Sequence, residues 1–396
     1  MRNYFYPLVK NPYRRKDIDS AIKVLKTGKL TIGSVTDNFQ KIFSEKLKTK
    51  NSLLVNSGSS ANLLALQCLI NPYRKKRLKK DDEIILPALC WSTSLWPIIQ
   101  SGLKPKFVDI DLKTLNFDLE KLEKAITKKT KAILIVHVLG NCVDMDLLMK
   151  IKNKYNLILI EDTCESLGTK YKNKYLGTYG DFSSFSFYSS HQISSGEGGM
   201  ICCKNENDFE IIKSLRAHGW SRGLKNEAKI ANLNKNLDKR FIFYNSGFNL
   251  RSTDICASIG LSQFKDLDKF IKIRSENRIK ILREFKKNKK INNYMNIIQE
   301  NKFTKPSWFG IPIVGKKTLN KEAFIKKIEK KGVETRPIIS GNFLKQPAIR
   351  KYKLNSKNKM VNADYINNKG FFIGLPTEKI KLKTLNKLIK SFESSL

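Results

Sequence analysis

Histidines, acidic residues and long apolar runs are all scarce in this 396-residue sequence. It contains three histidines, and its 36 Asp and Glu residues are outnumbered by 75 Lys and Arg residues. No apolar run approaches the roughly 18–20 residues that a membrane-spanning helix needs, and the first residues lack the apolar core of a signal peptide. With 41% hydrophobic residues, the composition excludes a wholly disordered or fibrous chain. The sequence therefore predicts a globular, cytoplasmic protein without a membrane partner.

Disulfide and metal-binding motifs are also missing. The seven cysteines form no CxxC pair and no zinc-type spacing, and they lie at positions 68, 90, 142, 164, 202, 203 and 256. An odd, scattered set in a chain without a signal peptide indicates reduced, mostly buried thiols. We therefore predict no structural metal site.

The shortage of acidic residues leaves a formal net charge of +39. Such a charge is typical of nucleic-acid binders and of enzymes that act on anionic substrates. The excess is spread along the whole chain, mostly as lysine, and the densest clusters, Arg74–Lys80 and Lys286–Lys290, lack interleaved aromatic residues. We interpret it as solvated lysine faces, and nucleic-acid binding stays an alternative that depends on charge alone.

The first two-thirds of the chain alternates strand-like runs with helical stretches. Near-continuous apolar runs are typical of parallel strands that are buried on both faces. Strands are predicted at 53–56, 83–87, 106–110, 132–138, 157–162, 182–187 and 200–203. Long Lys-rich amphipathic helices follow from about residue 262, with a further strand at 308–314. We therefore predict an α/β protein with a large domain over 1–265 and a smaller α+β domain over 266–396. The segment 225–239 has no clear period, which predicts a mobile surface insertion.

Polar motifs follow several of these strands, at the sheet edge where ligands collect in α/β proteins. The first, NSGSSAN at 56–62, follows a strand and opens a helix. Gly58 allows close backbone approach, and a helix N-terminus with serine hydroxyls favours an anion. A serine-capped helix after a turn is an equally good interpretation of this motif alone.

The second motif, EDTCE at 161–165, ends a buried strand with acidic residues. A buried acid costs desolvation energy unless a cation or a proton donor pairs with it. A pyridinium nitrogen is one such partner, and an N-cap or an internal salt bridge is the alternative.

Two further motifs supply an imidazole and cations. FSFYSSHQISSGEGG at 185–199 combines hydroxyl groups, His191 and a glycine-rich turn. RAHGWSR at 216–222 and GFNLR at 247–251 offer cations to an anionic ligand. A lone histidine is as consistent with a structural role as with a catalytic one.

Taken in order, these motifs resemble the DegT-type family of sugar-nucleotide aminotransferases and dehydratases, from about Phe5 to the C-terminus. The resemblance implies the aspartate-aminotransferase-like fold of pyridoxal-phosphate enzymes, fold type I, with a noncovalent pyridoxal or pyridoxamine phosphate. In this family the position before the GEGG turn normally holds the lysine that forms the Schiff base, and here it is His191. Because an imidazole cannot form that bond, the resemblance implies a dehydratase rather than a lysine-dependent aminotransferase.

Two kinds of dehydratase in the family share this replacement. One kind carries an iron–sulfur cluster, which requires four cysteine ligands. Only Cys202, Cys203 and Cys256 follow the GEGG turn here, so no cluster is predicted. RAHGWSR, SWFG at 307–310 and RPIISGNF at 336–343 resemble the other kind, which removes the C3 hydroxyl of a nucleotide-linked 4-keto-6-deoxyhexose.

The expected substrate is GDP-4-keto-6-deoxy-D-mannose, and glutamate is the expected amino donor. Three alternatives stay open. They are a sugar-nucleotide aminotransferase, a 3-dehydratase of a CDP-linked sugar, and a non-catalytic pyridoxal-phosphate-binding regulator.

The resemblance also assigns roles to residues of this chain. His191 is the catalytic acid and base, which suits an imidazole with a reference pKa of about 6.5. Asp162 pairs with the pyridinium nitrogen of the cofactor. The other cofactor contacts are Gly58, Ser59, Trp91, Glu165, Ser186 and, across a homodimer interface, Asn249. The substrate contacts are Thr31, His218, Arg222, Arg251, Glu334 and Arg336.

Overall fold

The structure is a computed structural model that describes residues 4–354, 356 and 358–396. The predicted domain ranges also include residues 1–3, 355 and 357, which lie outside the described residues. The strands are β1 (Asn51–Val55), β2 (Glu83–Pro87), β3 (Lys104–Val108), β4 (Thr130–Val136), β5 (Ile158–Asp162), β6 (Lys170–Tyr171), β7 (Lys174–Tyr175), β8 (Phe182–Ser186), β9 (Gly199–Cys203), β10 (Met295–Ile297), β11 (Thr304–Lys305), β12 (Gly310–Gly315), β13 (Thr335–Arg336) and β14 (Gly370–Gly374).

The helices surround these strands on both sides of the main sheet. They are α1 (Arg15–Lys26), α2 (Ser34–Leu47), α3 (Gly58–Ile70), α4 (Ser92–Gln100), α5 (Leu119–Ala125), α6 (Met145–Lys154), α7 (Glu206–Arg216), α8 (Glu227–Leu233), α9 (Asp254–Phe264), α10 (Leu267–Lys287), α11 (Lys289–Tyr294), α12 (Lys321–Lys330), α13 (Pro347–Lys351), α14 (Val361–Lys369) and α15 (Leu382–Glu393).

A seven-stranded sheet in the order β1-β9-β8-β5-β4-β2-β3 forms the centre of the molecule. The pairs from β8 to β3 are parallel, whereas β9 is antiparallel to both β8 and β1. Strand β9 reverses because residues 187–198 form no helix that could cross over the sheet, as a parallel connection usually requires. The predicted α/β class with a mostly parallel sheet is confirmed, and each predicted strand of this sheet lies within two residues of its observed ends.

A second, four-stranded sheet in the order β10-β12-β14-β13 lies entirely after residue 266. It is antiparallel throughout, and the strand predicted at 308–314 is β12. One hydrophobic cluster is continuous across both sheets, since it contains Leu134 and Ile160 of the first and Ile311 and Phe371 of the second. The domain division at residue 265 stays a prediction.

The segment 225–239 is not irregular throughout, because it contains helix α8. Ile230 of this helix is buried and packs with Leu224 and Ile242 in a small cluster of its own. One apolar side chain is enough to fix a short helix on the surface but too few to give a recognisable period. The mobility of this segment stays a prediction.

Among the helices of the described ranges, none combines the length and the apolar composition that crossing a bilayer requires.

Candidate active site

The first predicted motif forms a small polar cradle at the start of α3. The Oγ atom of Ser57 caps this helix by accepting a 3.1 Å hydrogen bond from the backbone N–H of Ser60. A Cβ atom on Gly58 would lie 2.7 Å from Cβ of Ser186, so only glycine lets β8 approach so closely. Ser59 lies beside them and its Oγ is 2.8 Å from Oγ1 of Thr93. The structure thus brings Gly58, Ser59 and Ser186 together at a helix N-terminus, where an anion is favoured.

Asp162 lies at the end of β5 and is only 5% exposed. Its Oδ2 atom accepts hydrogen bonds of 2.8 Å from the side-chain amide of Asn62 and from the hydroxyl of Ser94. Its Oδ1 atom accepts two longer bonds, from the backbone of Cys164 at 3.2 Å and from the hydroxyl of Ser184 at 3.4 Å. Within the described ranges no Lys, Arg or His side chain forms an ion pair with it, so this buried acid is available to a cationic ligand.

The neighbouring acid, Glu161, has the structural role that was one alternative for this motif. Its side chain is fully buried, with Nε2 of His137 at 3.2 Å and the backbone N–H groups of Gly177, Tyr179 and Gly180 at 2.6–2.8 Å. Burial alone would raise the pKa of Glu161, but these hydrogen bonds hold it below its ordinary value. Because successive residues of a strand point to opposite faces, Glu161 binds the 177–180 loop while Asp162 faces the cradle.

Glu165 lies three residues beyond Asp162 and is partly buried. Its Oε2 atom accepts a 2.9 Å hydrogen bond from the backbone of Leu139. Burial raises the pKa of Glu165 to about 7, an effect that the negative charge of Asp162 strengthens and the Leu139 bond opposes. This carboxyl group can therefore carry or release a proton near neutral pH.

The imidazole of His191 is packed between two aromatic rings. Its centroid lies 5.9 Å from that of Tyr188 and 5.7 Å from that of Phe309, both in edge-on geometry. Its Nδ1 atom is buried and has no hydrogen-bond partner among the described residues. Burial lowers the pKa of His191 to about 4, so the ring is neutral at pH 7.

His218 and Arg251, from two separate motifs, contact each other. Nη2 of Arg251 lies 3.1 Å from Nε2 of His218. Nε of Arg251 donates a 3.0 Å hydrogen bond to Oδ1 of Asn249. The guanidinium also lies 5.5 Å above the ring of Trp220, in cation–π geometry. The side chain of Asn249 is exposed, so this group of residues faces the surface.

Glu334 and Arg336 form a second group beside the amino-terminal arm. Oε1 of Glu334 pairs with Nη2 of Arg336 at 2.8 Å, and Oε2 accepts a 2.8 Å hydrogen bond from the backbone of Leu8. Thr31, Trp91 and Arg222 are exposed, and no hydrogen bond within the described residues joins them to either group. Trp91, at 56% exposure, precedes α4, the helix that carries Ser94.

Several contacting residues were not predicted. Asn62 was part of the first motif, one helical turn after Gly58, and this spacing could have indicated that both face β5. Ser94 and Thr93 follow β2, whose end meets the same sheet edge, but a lone serine or threonine gives no sequence signal. Arg274 hydrogen-bonds the backbone of His191 from α10, far along the chain, and no local pattern marks it. No cluster of three or more His, Cys, Asp or Glu suited to a metal ion occurs in the described part of the chain.

This chain is similar over almost its whole length to proteins of known function and structure. The chain is 37% identical over 374 residues to GDP-4-keto-6-deoxy-D-mannose 3-dehydratase of Escherichia coli O55:H7, covering 93% of this chain and 95% of that protein. A solved structure of the E. coli 3-dehydratase with bound hydrated PLP superposes with a TM-score of 0.91 at 35% identity, covering 99% of this chain and all of that one.

Two further structures of a GDP-4-keto-6-deoxymannose 3-dehydratase carry ligands. One is a variant with bound GDP-perosamine and the other holds a trapped PLP-glutamate geminal diamine. Each has a TM-score of 0.90 and 35% identity, and covers 98% of this chain and all of that one.

These similarities confirm the predicted aspartate-aminotransferase-like fold. The DegT/DnrJ/EryC1/StrS aminotransferase family matches residues 12–392, which is nearly the whole sequence. This chain belongs to that family.

Proposed function

We propose that this protein is a pyridoxal/pyridoxamine-phosphate-dependent 3-dehydratase that removes the C3 hydroxyl of a nucleotide-linked 4-keto-6-deoxyhexose. The substrate would be GDP-4-keto-6-deoxy-D-mannose, with glutamate as the amino donor. The observation that carries the proposal is His191, whose imidazole interacts with the backbone of Ser186 and with the charge of Asp162, in a segment, 185–199, that contains no lysine for a Schiff base. The relatives named above act on this sugar or hold this cofactor, which supports the same assignment here.

The residues of the site fit pyridoxal phosphate. Gly58 leaves no space for a side chain but brings the N–H groups of α3 next to Ser186, which suits a phosphate. Asp162 is a buried acid without a cationic partner in the described structure, which suits a pyridinium nitrogen. When bound, this cofactor supplies an electron sink for chemistry at the carbon next to an amine. Glu165 and an exposed Trp91 would complete its contacts.

His191 would move the protons of the dehydration step. A neutral imidazole can accept a proton at pH 7, and a pKa of about 4 makes its protonated form a ready donor. We assign it the removal of the proton from C4′ of the cofactor and its delivery to the departing C3 hydroxyl. The rings of Tyr188 and Phe309 contact the imidazole and restrict its position.

The remaining predicted site residues would bind the amino donor, the sugar nucleotide and the cofactor phosphate. His218 and Arg251 form a joined pair that suits a carboxylate of glutamate. Thr31, Arg222, Glu334 and Arg336 would contact the sugar nucleotide. We further propose a homodimer in which the partner subunit's Asn249 reaches the phosphate, which fits the exposure of this side chain. The cytoplasmic location stays a prediction.

Product analysis tests the proposal. The protein is incubated with GDP-4-keto-6-deoxy-D-mannose, glutamate and pyridoxal phosphate, and the products are examined by mass spectrometry and an ammonia assay. We expect loss of the C3 oxygen from the sugar together with release of ammonia and 2-oxoglutarate.

Other outcomes identify the alternatives. An amino sugar that keeps its C3 hydroxyl would indicate an aminotransferase, and turnover of the CDP-linked sugar alone would indicate the other dehydratase. Cofactor binding without turnover of either sugar would indicate a regulator.

A further inference from the structure

Arg274 of helix α10 lies directly behind the segment that carries His191. Its guanidinium donates hydrogen bonds to three backbone carbonyls, those of His191 at 3.3 Å, Gln192 at 3.0 Å and Leu375 at 3.2 Å. The first two acceptors lie in the 185–199 segment, and Leu375 directly follows β14 of the second sheet. The side chain of Arg274 thus links the backbone of the 185–199 segment to the end of β14 in the second sheet.

This arrangement is unusual because the cation is buried without an acid. Arg274 is 5% exposed, and within the described ranges no carboxylate forms an ion pair with it. Burial lowers the pKa of Arg274 to about 10, which still leaves it charged at neutral pH. A buried guanidinium costs desolvation energy, and hydrogen bonds to carbonyl dipoles are what offset that cost here.

Neighbouring side chains on α10 bind different segments. Asn277 binds the backbone of Pro376 and Glu378, and Arg278 donates a 2.6 Å hydrogen bond to the carbonyl of Ile298. Neither contacts the His191 segment through a hydrogen bond in the described structure. The contact with the catalytic segment is therefore specific to Arg274 among these three side chains.

We propose that Arg274 is a positioning residue for His191. It fixes the backbone that carries the imidazole and places a permanent positive charge behind the imidazole. The proposal rests on the assignment of His191 as the acid and base. Gln192 supports the same geometry, because its side-chain amide donates to the carbonyls of Glu165 and Ser307. The His191 segment is thus fixed from α10 on one side and from the Glu165 and Ser307 segments on the other.

The charge of Arg274 has a second effect, on the protonation of the imidazole. Two charged groups face His191: Asp162 on β5, which raises its pKa, and Arg274 on α10, which lowers it. Lys10 and Arg14 of the amino-terminal region line the same cleft as His191, and they add positive charge. Removing the guanidinium takes away a cation that acts on the pKa of His191 and leaves the backbone carbonyls of His191 and Gln192 without this donor.

The test uses the full chain without substrate, labelled with carbon-13 at histidine. Three signals are expected from the three histidines, and His191→Asn assigns the one of interest. We expect Arg274→Met to raise the imidazole pKa of His191 by about one unit, through loss of the nearby charge and partial solvation. Amide hydrogen exchange over 188–196 is expected to become about tenfold faster or more.

The matched control is Arg278→Met, which removes a buried arginine of the same helix that makes no hydrogen bond to this segment within the described residues, since it donates to Ile298 and lies over the ring of Trp308. It should leave both readouts at their wild-type values even where it lowers overall stability. Arg274→Lys keeps the charge but cannot donate hydrogen bonds to three carbonyls at once. It should therefore show the wild-type imidazole pKa of His191 but only part of the wild-type protection against amide exchange over 188–196.

The proposal is overturned where Arg274→Met leaves both readouts unchanged, or where Arg278→Met moves them equally. Should Arg274→Met not fold, Arg274→Lys decides, since unchanged exchange over 188–196 would overturn the proposal and faster exchange would support it. Because both measurements are made without turnover, a wild-type protein that fails to dehydrate the sugar would count against the proposed function alone.

Discussion

The side-chain amide of Asn62 donates a 2.8 Å hydrogen bond to Oδ2 of Asp162, across 100 positions of sequence. Both side chains are buried, and the hydroxyl of Ser94 donates to the same oxygen. These two bonds hold Oδ2, whereas Oδ1 accepts only longer hydrogen bonds, from the backbone of Cys164 and the hydroxyl of Ser184. The fixed carboxylate is what a pyridinium nitrogen needs as a partner.

Loss of either donor to Asp162 should weaken binding of the cofactor. A hydrogen bond to a charged group contributes about 1.5–3 kcal/mol, so Asn62→Leu and Ser94→Ala should each raise the Kd of pyridoxal phosphate about 10–100-fold. Equilibrium titration followed by the absorbance of the cofactor measures this. Ser92→Ala, on the same helix as Ser94 but without a bond to Asp162, is the control, and an unchanged Kd in both test variants would refute a role for these donors.

Replacement of His191 by asparagine should separate binding from chemistry. We expect His191→Asn to bind pyridoxal phosphate with near wild-type affinity and to lose sugar dehydration by about 10²–10⁴-fold, as for a general acid and base. Rates of dehydration at saturating cofactor measure this. Dehydration at near wild-type rates would show that His191 only packs against the ligand.

A lysine at the same position should change the state of the cofactor. His191→Lys introduces an amine where the family normally has one, so borohydride treatment with pyridoxal phosphate should add a pyridoxyl group to the 185–199 peptide. The wild-type peptide should keep its mass, because this segment contains no lysine. A pyridoxyl group on a nearby lysine such as Lys170 in the wild type would mean that the active site lies elsewhere.

Shared sites at a homodimer interface predict complementation between two inactive variants. His191→Asn removes a residue that a subunit gives to its own site, whereas Asn249→Ala removes a residue that it gives to the site of its partner. A dimer with one subunit of each variant would therefore contain one intact site. After denaturation and refolding together, equal amounts should recover about a quarter of the wild-type activity. No recovery, or a fully active monomer in sedimentation, would contradict the shared site.

Glu165 should make the cofactor-free protein less stable as the pH rises. Its pKa is raised to about 7 from an ordinary value near 4.5, so the folded state prefers the protonated carboxyl. The protonated Glu165 stabilises the folded state at pH values below the pKa that this residue has in the unfolded chain. This stabilisation is lost as the pH increases through about 7. Glu165→Gln should therefore unfold like the wild type at pH 4.5 and be more stable by about 2 kcal/mol at pH 8, measured with urea. Equal stability of the two at pH 8 would contradict the raised pKa.

Much of the fold could be predicted because β2, β4 and β5 lie in the middle of the main sheet, are almost entirely buried and are therefore near-continuous apolar runs. The strand predicted at 132–138 lies two residues too far along, since β4 ends at Val136 and a short 3₁₀ turn follows at Val138–Gly140. Helix α8 could not be predicted, because a single buried isoleucine holds it and propensity alone is a weak guide.

The candidate site was predictable where short polar motifs lie at strand ends that meet at one edge of the sheet. Gly58, Ser59 and Ser186 follow strands whose ends meet at one sheet edge, and the structure brings them together. Without the family resemblance, Glu161 and Asp162 could not be told apart from the sequence, because both are acidic and only the packed structure shows which one faces the 177–180 loop. Arg274 is outside any motif, and its role depends on contacts across more than 80 residues.

The hydrophobic cluster that runs through both sheets has a consequence for how the molecule unfolds. Leu134 and Phe371 belong to one continuous apolar interior, so separating the two parts of the chain would expose much of it to water. Residues 266–396 expressed alone should therefore aggregate or stay unfolded, and calorimetry of the whole chain should give a single cooperative transition. We therefore expect movement of one part against the other to be limited to small sliding displacements.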